Sequence, residues 1–156
     1  MNQFEPFNQT NLFGLNKFIV ELMQLYDNNK LPNKILLSGL KGLGKATLAY
    51  HFINYVLSKN EEFSYNIDDF KINSNNRSFK TIVNRSNPNL ISVDINPDKK
   101  FIDIDQVRKL ILNLNKSSFN KKPRFVLIDN IEFLNINSIN ALLKILEEPS
   151  ENIYFI

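Results

Sequence analysis

The chain has 156 residues, with 19 Lys and Arg against 16 Asp and Glu, and a formal net charge of +3. The length predicts one domain, and 43% hydrophobic with 22% charged residues is typical of globular proteins, which excludes collagen-like, mucin-like and wholly disordered chains. The chain has no Cys, so it offers neither a disulfide framework nor a Cys-based zinc site.

The sequence gives no sign of secretion or of membrane attachment. No apolar run approaches the roughly 18 residues that a membrane span needs, and the first residues are not a basic and then apolar leader. We therefore expect a cytoplasmic protein without membrane partners. Most of the basic residues are Lys, and the sequence is also rich in Asn, Ile and Phe. This composition indicates an AT-rich coding bias more than a defined nucleic-acid-binding groove.

The first third of the chain predicts a helix, a strand, a loop and a second helix. Apolar residues recur at steps of three and four before residue 27, which indicates one helix packed on a core. They are Leu15, Phe18, Ile19, Leu22, Met23 and Tyr26. The apolar run Ile35 to Ser38 then predicts a strand, and the glycine-rich stretch through Gly44 leads into the second helix. The apolar positions of that helix are Leu48, Phe52, Val56 and Leu57.

Residues 58–86 are polar, and we interpret them as a long, mobile insertion that holds a short helix. After it, apolar runs predict strands at 90–95, 125–128 and 153–156. The helices between them are expected to be capped by Asp105 and by Asn137 or Ser138. The second helix should bury Ile139, Leu142, Leu143 and Leu146 and end at Pro149.

Strands that alternate with helices predict an α/β fold, with a mostly parallel sheet flanked by helices. The sequence has no internal repeat. Because the last apolar run would leave a sheet edge uncovered, we expect the chain to be part of a longer protein.

The segment from Gly39 to Lys45 matches the first seven positions of the phosphate-binding P-loop, after a predicted strand and before a predicted helix. Glycines let successive backbone amides turn toward phosphate oxygens, and the lysine reaches the outer phosphates. The candidate cofactor-binding residues are Gly39, Gly42, Gly44, Lys45 and Thr47. The alternative is a glycine-rich turn that survives only as architecture.

Two positions depart from the pattern of an active nucleotidase. Ala46 stands where Ser or Thr would bind Mg²⁺, and Thr47 points about 100° further round the helix. Asp129 is placed like the carboxylate that holds Mg²⁺, or is simply an aspartate that starts a loop. Asn130 replaces the Glu that would activate water, so we assign no catalytic residue, and Glu132 substitutes only if the backbone turns there.

Four segments follow one another between residues 31 and 149: LPNKILLSGLKGLGKATLAY, NPNLISVDI, IDIDQVRKL and FVLIDNIEFLNINSINALLKILEEP. In this order they resemble the AAA+ module of bacterial clamp-loader subunits of DNA polymerase III, most of all the delta prime group. The most specific block is NALLKILEEP, because a P-loop alone occurs in many unrelated nucleotidases.

The resemblance implies a P-loop AAA+ domain over residues 1–156, incomplete at its carboxyl-terminal end, with the polar insertion at 58–86. It implies a structural subunit of a complex that loads a sliding clamp on primed DNA, with delta and gamma/tau subunits as partners. A degenerate site would bind ATP and Mg²⁺ weakly, and the zinc insertion of some relatives is excluded because 58–86 has no Cys. The arginine that such subunits supply to a neighbouring ATP site would follow residue 156.

Other readings stay open at this point. The chain could be an ATP-hydrolysing motor subunit of the gamma/tau type, or a small P-loop kinase, although no acceptor pocket or lid is recognisable for a kinase. His51, the one histidine, is expected to pack or to face solvent. Lys121, Lys122 and Arg124 are expected to form a solvated turn more than a contact with DNA or with a neighbouring subunit.

Overall fold

The structure is a computed structural model that describes residues 5–116, 120–147 and 152–156. The chain divides into two compact units. The first contains residues up to Pro32 together with Leu36–Asn87, and the second contains Asn33–Ile35 and the residues from Pro88 onward. In the described ranges, no helix has the length and apolar character needed to span a lipid bilayer.

The first unit is helical. Its elements are the 3-10 helix Pro6–Asn8 and the helices α1 (Asn16–Asp27), α2 (Lys45–Ser58) and α3 (Arg77–Val83). The helix predicted over residues 15–26 is confirmed as α1, and the short helix predicted within 58–86 is confirmed as α3.

Helix α2 is the centre of the first unit, because it is buried on every side over its last turns. The apolar side chains Phe52, Ile53 and Leu57 have at most 1% of their surface exposed. Three polar side chains of the same helix, His51, Asn54 and Ser58, are completely buried as well. Buried polar groups need hydrogen-bond partners, so the chain around α2 has to supply them.

Most of those partners come from the polar stretch 58–86, although buried Nε2 of His51 has no hydrogen-bond partner among the described residues. The hydroxyl of Tyr65 lies 2.9 Å from Nδ1 of His51, and the Tyr65 amide donates to the Ser58 hydroxyl at 3.0 Å. Asn54 donates to Oδ1 of Asn76 at 3.2 Å, while the same oxygen accepts from the amide of Phe79 and caps α3. The stretch expected to be mobile is therefore packed against α2 in the structure.

The second unit contains the sheet. Its elements are β1 (Leu90–Val93), α4 (Ile104–Leu114), β2 (Arg124–Ile128), the 3-10 helix Ile131–Phe133, α5 (Ile136–Glu147) and β3 (Ile153–Phe155). The strands are parallel in the order β1-β2-β3, so the predicted α/β class with a parallel sheet is confirmed.

The strand predicted from Ile35 to Ser38 is wrong in its extent. The structure has a single parallel bridge between Lys34 and Phe155, supported by a hydrogen bond from the amide of Ile35 to the carbonyl of Phe155 at 2.9 Å. Strand β3 has only three residues, so a neighbouring segment can form few hydrogen bonds with it. Residues 36–38 are accordingly outside the sheet.

Both predicted helix caps in this unit are two or three residues too late in the sequence. Asp103, not Asp105, caps α4 in a capping box with Gln106. Asn135, instead of Asn137 or Ser138, accepts from the Ser138 amide at 2.9 Å at the start of α5. In each case the helix begins earlier than the apolar pattern indicates, α4 at Ile104 and α5 at Ile136.

Helix α5 buries a different face from the predicted one. Leu142 is buried and Leu146 is partly buried, but Ile139 and Leu143 are 40% and 47% exposed. The hydroxyl of buried Ser138 donates to the carbonyl of Ile102 at 3.0 Å, which turns this side of the helix inward. Pro149, predicted to end the helix, lies outside the described residues.

The buried position of His51 makes the stability of the fold depend on pH. Burial lowers the pKa of His51 from 6.5 to about 4, against a smaller opposing effect of the Gln9 backbone. Between these values the unfolded chain holds the proton more tightly than the folded one, so stability falls as the pH falls. We expect the free energy of unfolding to drop by about 2 kcal/mol from pH 7 to pH 5.

Urea unfolding at the two pH values measures this loss. His51→Gln is the matched control, because it keeps a polar side chain near Tyr65 but does not titrate in this range. An equal pH dependence in the His51→Gln variant would contradict the assignment to His51.

The capping box makes a second prediction. Asp103→Ala should lower the free energy of unfolding by about 1 kcal/mol, because the free amide of Gln106 loses its acceptor. Asp105→Ala serves as the control, since the Asp105 side chain lies in the first turn of α4 and forms an exposed ion pair with Arg108. Urea titration of both variants compares them, and a larger loss for Asp105→Ala would show that the cap is misassigned.

Candidate nucleotide-binding site

The glycine-rich loop of the first unit has the backbone that only glycine adopts readily. Gly42 and Gly44 have φ angles of 85° and 82°, in the left-handed region. Gly44 directly precedes α2, and a Cβ atom there would lie 3.3 Å from Cδ1 of Leu15. The loop and the start of the helix therefore depend on these glycines, as the sequence pattern predicts.

Lys45, the first residue of α2, folds back over this loop. Its Nζ atom donates to the carbonyl oxygens of Gly39 at 2.9 Å and Leu40 at 3.0 Å. The positive charge is thus held among the residues of the loop. The ammonium group therefore lies within the loop that the sequence predicts to bind phosphate.

The hydroxyl that a Mg²⁺ site needs is missing at its expected place. The side chain of Ala46 has no oxygen atom. Thr47, the next residue in the first turn of α2, has a hydroxyl group but is half-buried. Among the described residues, no three His, Asp or Glu side chains come together as a metal-binding group. At the position where the P-loop pattern has Ser or Thr, this chain therefore offers no side-chain ligand for Mg²⁺.

Polar residues of the second unit meet at the carboxyl-terminal edge of the sheet. Asp94 follows β1, and Asp129 with Asn130 follows β2. Because the two strands are parallel and Val93 pairs with Ile128, the three side chains leave the sheet at the same edge. The amide of Asp129 donates to the carbonyl of Val93 at 2.9 Å and extends the pairing by one residue.

Asn130 bonds to both aspartates. Its backbone amide donates to Oδ1 of Asp129 at 2.9 Å, and its side-chain amide donates to Oδ1 of Asp94 at 2.8 Å. Sequence reasoning placed Asp94 inside a strand from 90 to 95 and missed it as a site residue. The available signal was a carboxylate immediately after an apolar run, the same signal that singled out Asp129.

Glu132 lies in the 3-10 helix Ile131–Phe133 and is exposed. Its proposed substitution for the missing base stays a prediction. The loop residues belong to the first unit and the strand-end residues to the second, and the joining of both sets in one site likewise stays a prediction.

Arg124 departs from the expected solvated basic turn. Its guanidinium donates to three backbone carbonyls at or just beyond the end of α4, with distances of 2.6 to 2.9 Å. The acceptors are Asn113, Leu114 and Lys116. Carbonyls at a helix carboxyl terminus lack partners within the helix, so the guanidinium acts as a cap. Lys121, three residues earlier, is exposed.

This contact predicts that Arg124 serves the fold. Arg124→Ala should lower the free energy of unfolding by about 2 kcal/mol, because three carbonyls lose a charged donor. Lys121→Ala is the matched control and should change stability by less than about 0.5 kcal/mol. Urea unfolding of the two variants provides the comparison, and equal stabilities would contradict the capping role.

A family model described as DNA polymerase III, delta subunit, matches residues 14–156. A DNA polymerase III subunit delta' from Buchnera aphidicola subsp. Schizaphis graminum is 27% identical over 86% of this chain and 39% of the relative. The subunit delta' of Pseudomonas aeruginosa is 30% identical over 74% of this chain and 33% of the relative. A subunit gamma/tau from Mycoplasma genitalium is 25% identical over 99% of this chain and 24% of the relative. The chain thus spans between about a quarter and two fifths of the length of these relatives.

Proposed function

Because the chain belongs to the family described as DNA polymerase III, delta subunit, we propose that it is the amino-terminal module of a delta prime-type subunit of the clamp loader. In this role it supports the loading of a sliding clamp on primed DNA within a hetero-oligomeric complex in the cytoplasm. Its direct partners are the delta and gamma/tau subunits, and it meets the clamp and the DNA through the complex.

The observation that carries the proposal is the side chain at position 130. A hydrolytic AAA+ site needs a base beside the strand-end aspartate, and a neutral amide cannot accept a proton from water at physiological pH. Here the amide of Asn130 is already engaged as a donor to Asp94. The subunit therefore acts as a scaffold and does not drive the motor.

Nucleotide binding is a separate matter from hydrolysis. Gly39, Gly42, Gly44 and Lys45 supply the amides and the charge that hold a triphosphate, and Thr47 supplies the nearest hydroxyl. Lys45 must leave the carbonyls of Gly39 and Leu40 to reach phosphate, which opposes binding. We propose that ATP binds weakly there, and that Asp129 is the residue that would hold Mg²⁺ through water.

A motor subunit of the gamma/tau type is the second candidate. Its support is the likeness to gamma/tau subunits over 99% of this chain, at 25% identity. It requires that Thr47 and Glu132 replace the missing hydroxyl and base. The two candidates differ in whether this chain turns over ATP.

The full-length protein, with its partner subunits, separates the two. We expect no steady-state ATPase from the protein alone, and clamp loading by the reconstituted complex should persist when Lys45→Ala is introduced in this chain. The control is the same substitution of the P-loop lysine in the gamma/tau subunit, which should abolish loading because that subunit drives it. ATPase of the isolated protein that disappears in Lys45→Ala would establish the motor instead.

A further inference from the structure

Asp94 has no role in the proposed nucleotide site, but it accepts hydrogen bonds from three parts of the second unit. Its Oδ1 accepts from the side-chain amide of Asn130 at 2.8 Å and from the backbone amide of Ile95 at 2.6 Å. Its backbone carbonyl accepts from Nε2 of Gln106 at 2.7 Å. Gln106 belongs to the capping box of α4. Asp94 is therefore hydrogen-bonded both to helix α4 and to the residue pair that follows β2.

The backbone at position 130 restricts which side chain can stand there. Asn130 has φ and ψ of 56° and 44°, in the left-handed helical region. Asn and Asp enter this region several times more readily than other non-glycine residues, so a Glu there would be strained. Among Asn, Asp and Glu, this conformation therefore favours Asn and Asp.

The bond to Asp94 discriminates between these two. Asn presents an N–H donor to the Asp94 carboxylate, whereas Asp would place a second carboxylate at hydrogen-bond distance with no proton between them. Two carboxylates held this close repel each other, which disfavours the charged form of each. The neutral amide at position 130 is thus set by its neighbour as much as by the backbone.

We propose that Asp94 is a positioning residue that holds the Asn130 side chain across the ends of β1 and β2, so that an acidic side chain at position 130 is tolerated only when the charge at position 94 is removed. Under this arrangement a carboxylate introduced at position 130 alone lowers the stability of the fold. The inference stands on hydrogen bonds within the second unit and does not depend on the clamp-loader assignment.

A double-mutant cycle in the full-length protein tests the proposal. Asn130→Asp should lower the folding equilibrium constant about tenfold near neutral pH, because two carboxylates then face each other. Asp94→Asn alone should change it less than about threefold, because the amide oxygen of Asn accepts the same two bonds. The doubly exchanged protein, Asp94→Asn with Asn130→Asp, should recover to within about threefold of the original, because donor and acceptor are simply swapped.

Nuclear magnetic resonance supplies a readout that a general loss of stability would not move. The side-chain amide resonances of Asn130 should shift toward those of a solvated amide in Asp94→Ala and stay near their original positions in Asp94→Asn. Unchanged Asn130 resonances in Asp94→Ala would overturn the proposal. The proposal would also be wrong if Asn130→Asp left the stability unchanged. The same holds if Asn130→Asp lowered the stability equally in a protein that already carries Asp94→Asn.

These measurements use no nucleotide and no partner subunit. Their failure would remove the positioning role of Asp94 and leave the proposed scaffold function untouched. An ATPase in the full-length protein would remove the scaffold function and leave the Asp94 bond untouched.

Discussion

The parallel pairing of β1 with β2 is the constraint on which the polar edge of the second unit depends. Leu90 pairs with Phe125 and Val93 with Ile128, so the residues that follow the two strands emerge together. A shift of one residue in this register would turn every side chain of β2 to the opposite face of the sheet and disrupt the packing of Phe125, Val126 and Leu127, which are all buried. The burial of β2 therefore fixes which polar side chains become neighbours.

The first unit is organised by a different requirement, the satisfaction of buried polar groups on α2. A helix surrounded by protein cannot rely on water, and three of its polar side chains are completely buried. The asparagines and tyrosine of the following polar stretch supply most of these partners, which explains why a stretch of low hydrophobicity packs against the helix. Polarity there reflects hydrogen bonding to a buried helix more than exposure to solvent.

The glycine loop and the strand ends, the two parts of the predicted nucleotide site, match the P-loop pattern to different extents. The loop keeps the left-handed glycines that shape a phosphate cradle, and its lysine bonds to the loop carbonyls. The strand edge keeps its aspartate but uses the next position for an amide that serves the sheet. The loop therefore has the backbone of the predicted phosphate site, whereas position 130 holds a neutral amide in place of the expected carboxylate.

The sequence by itself determined the α/β class, the helices α1 and α2, the buried strand β2 and the glycine loop, because each rests on local periodicity or on backbone conformation. Only the tertiary structure decided which residues cap α4 and α5, which face of α5 is buried and that Arg124 caps a helix end. It also decided that Asp94 meets Asn130 across 36 positions of sequence. The reason is physical: these choices depend on which donors and acceptors meet after the strands pair, and a local pattern carries no information about partners that are distant along the chain.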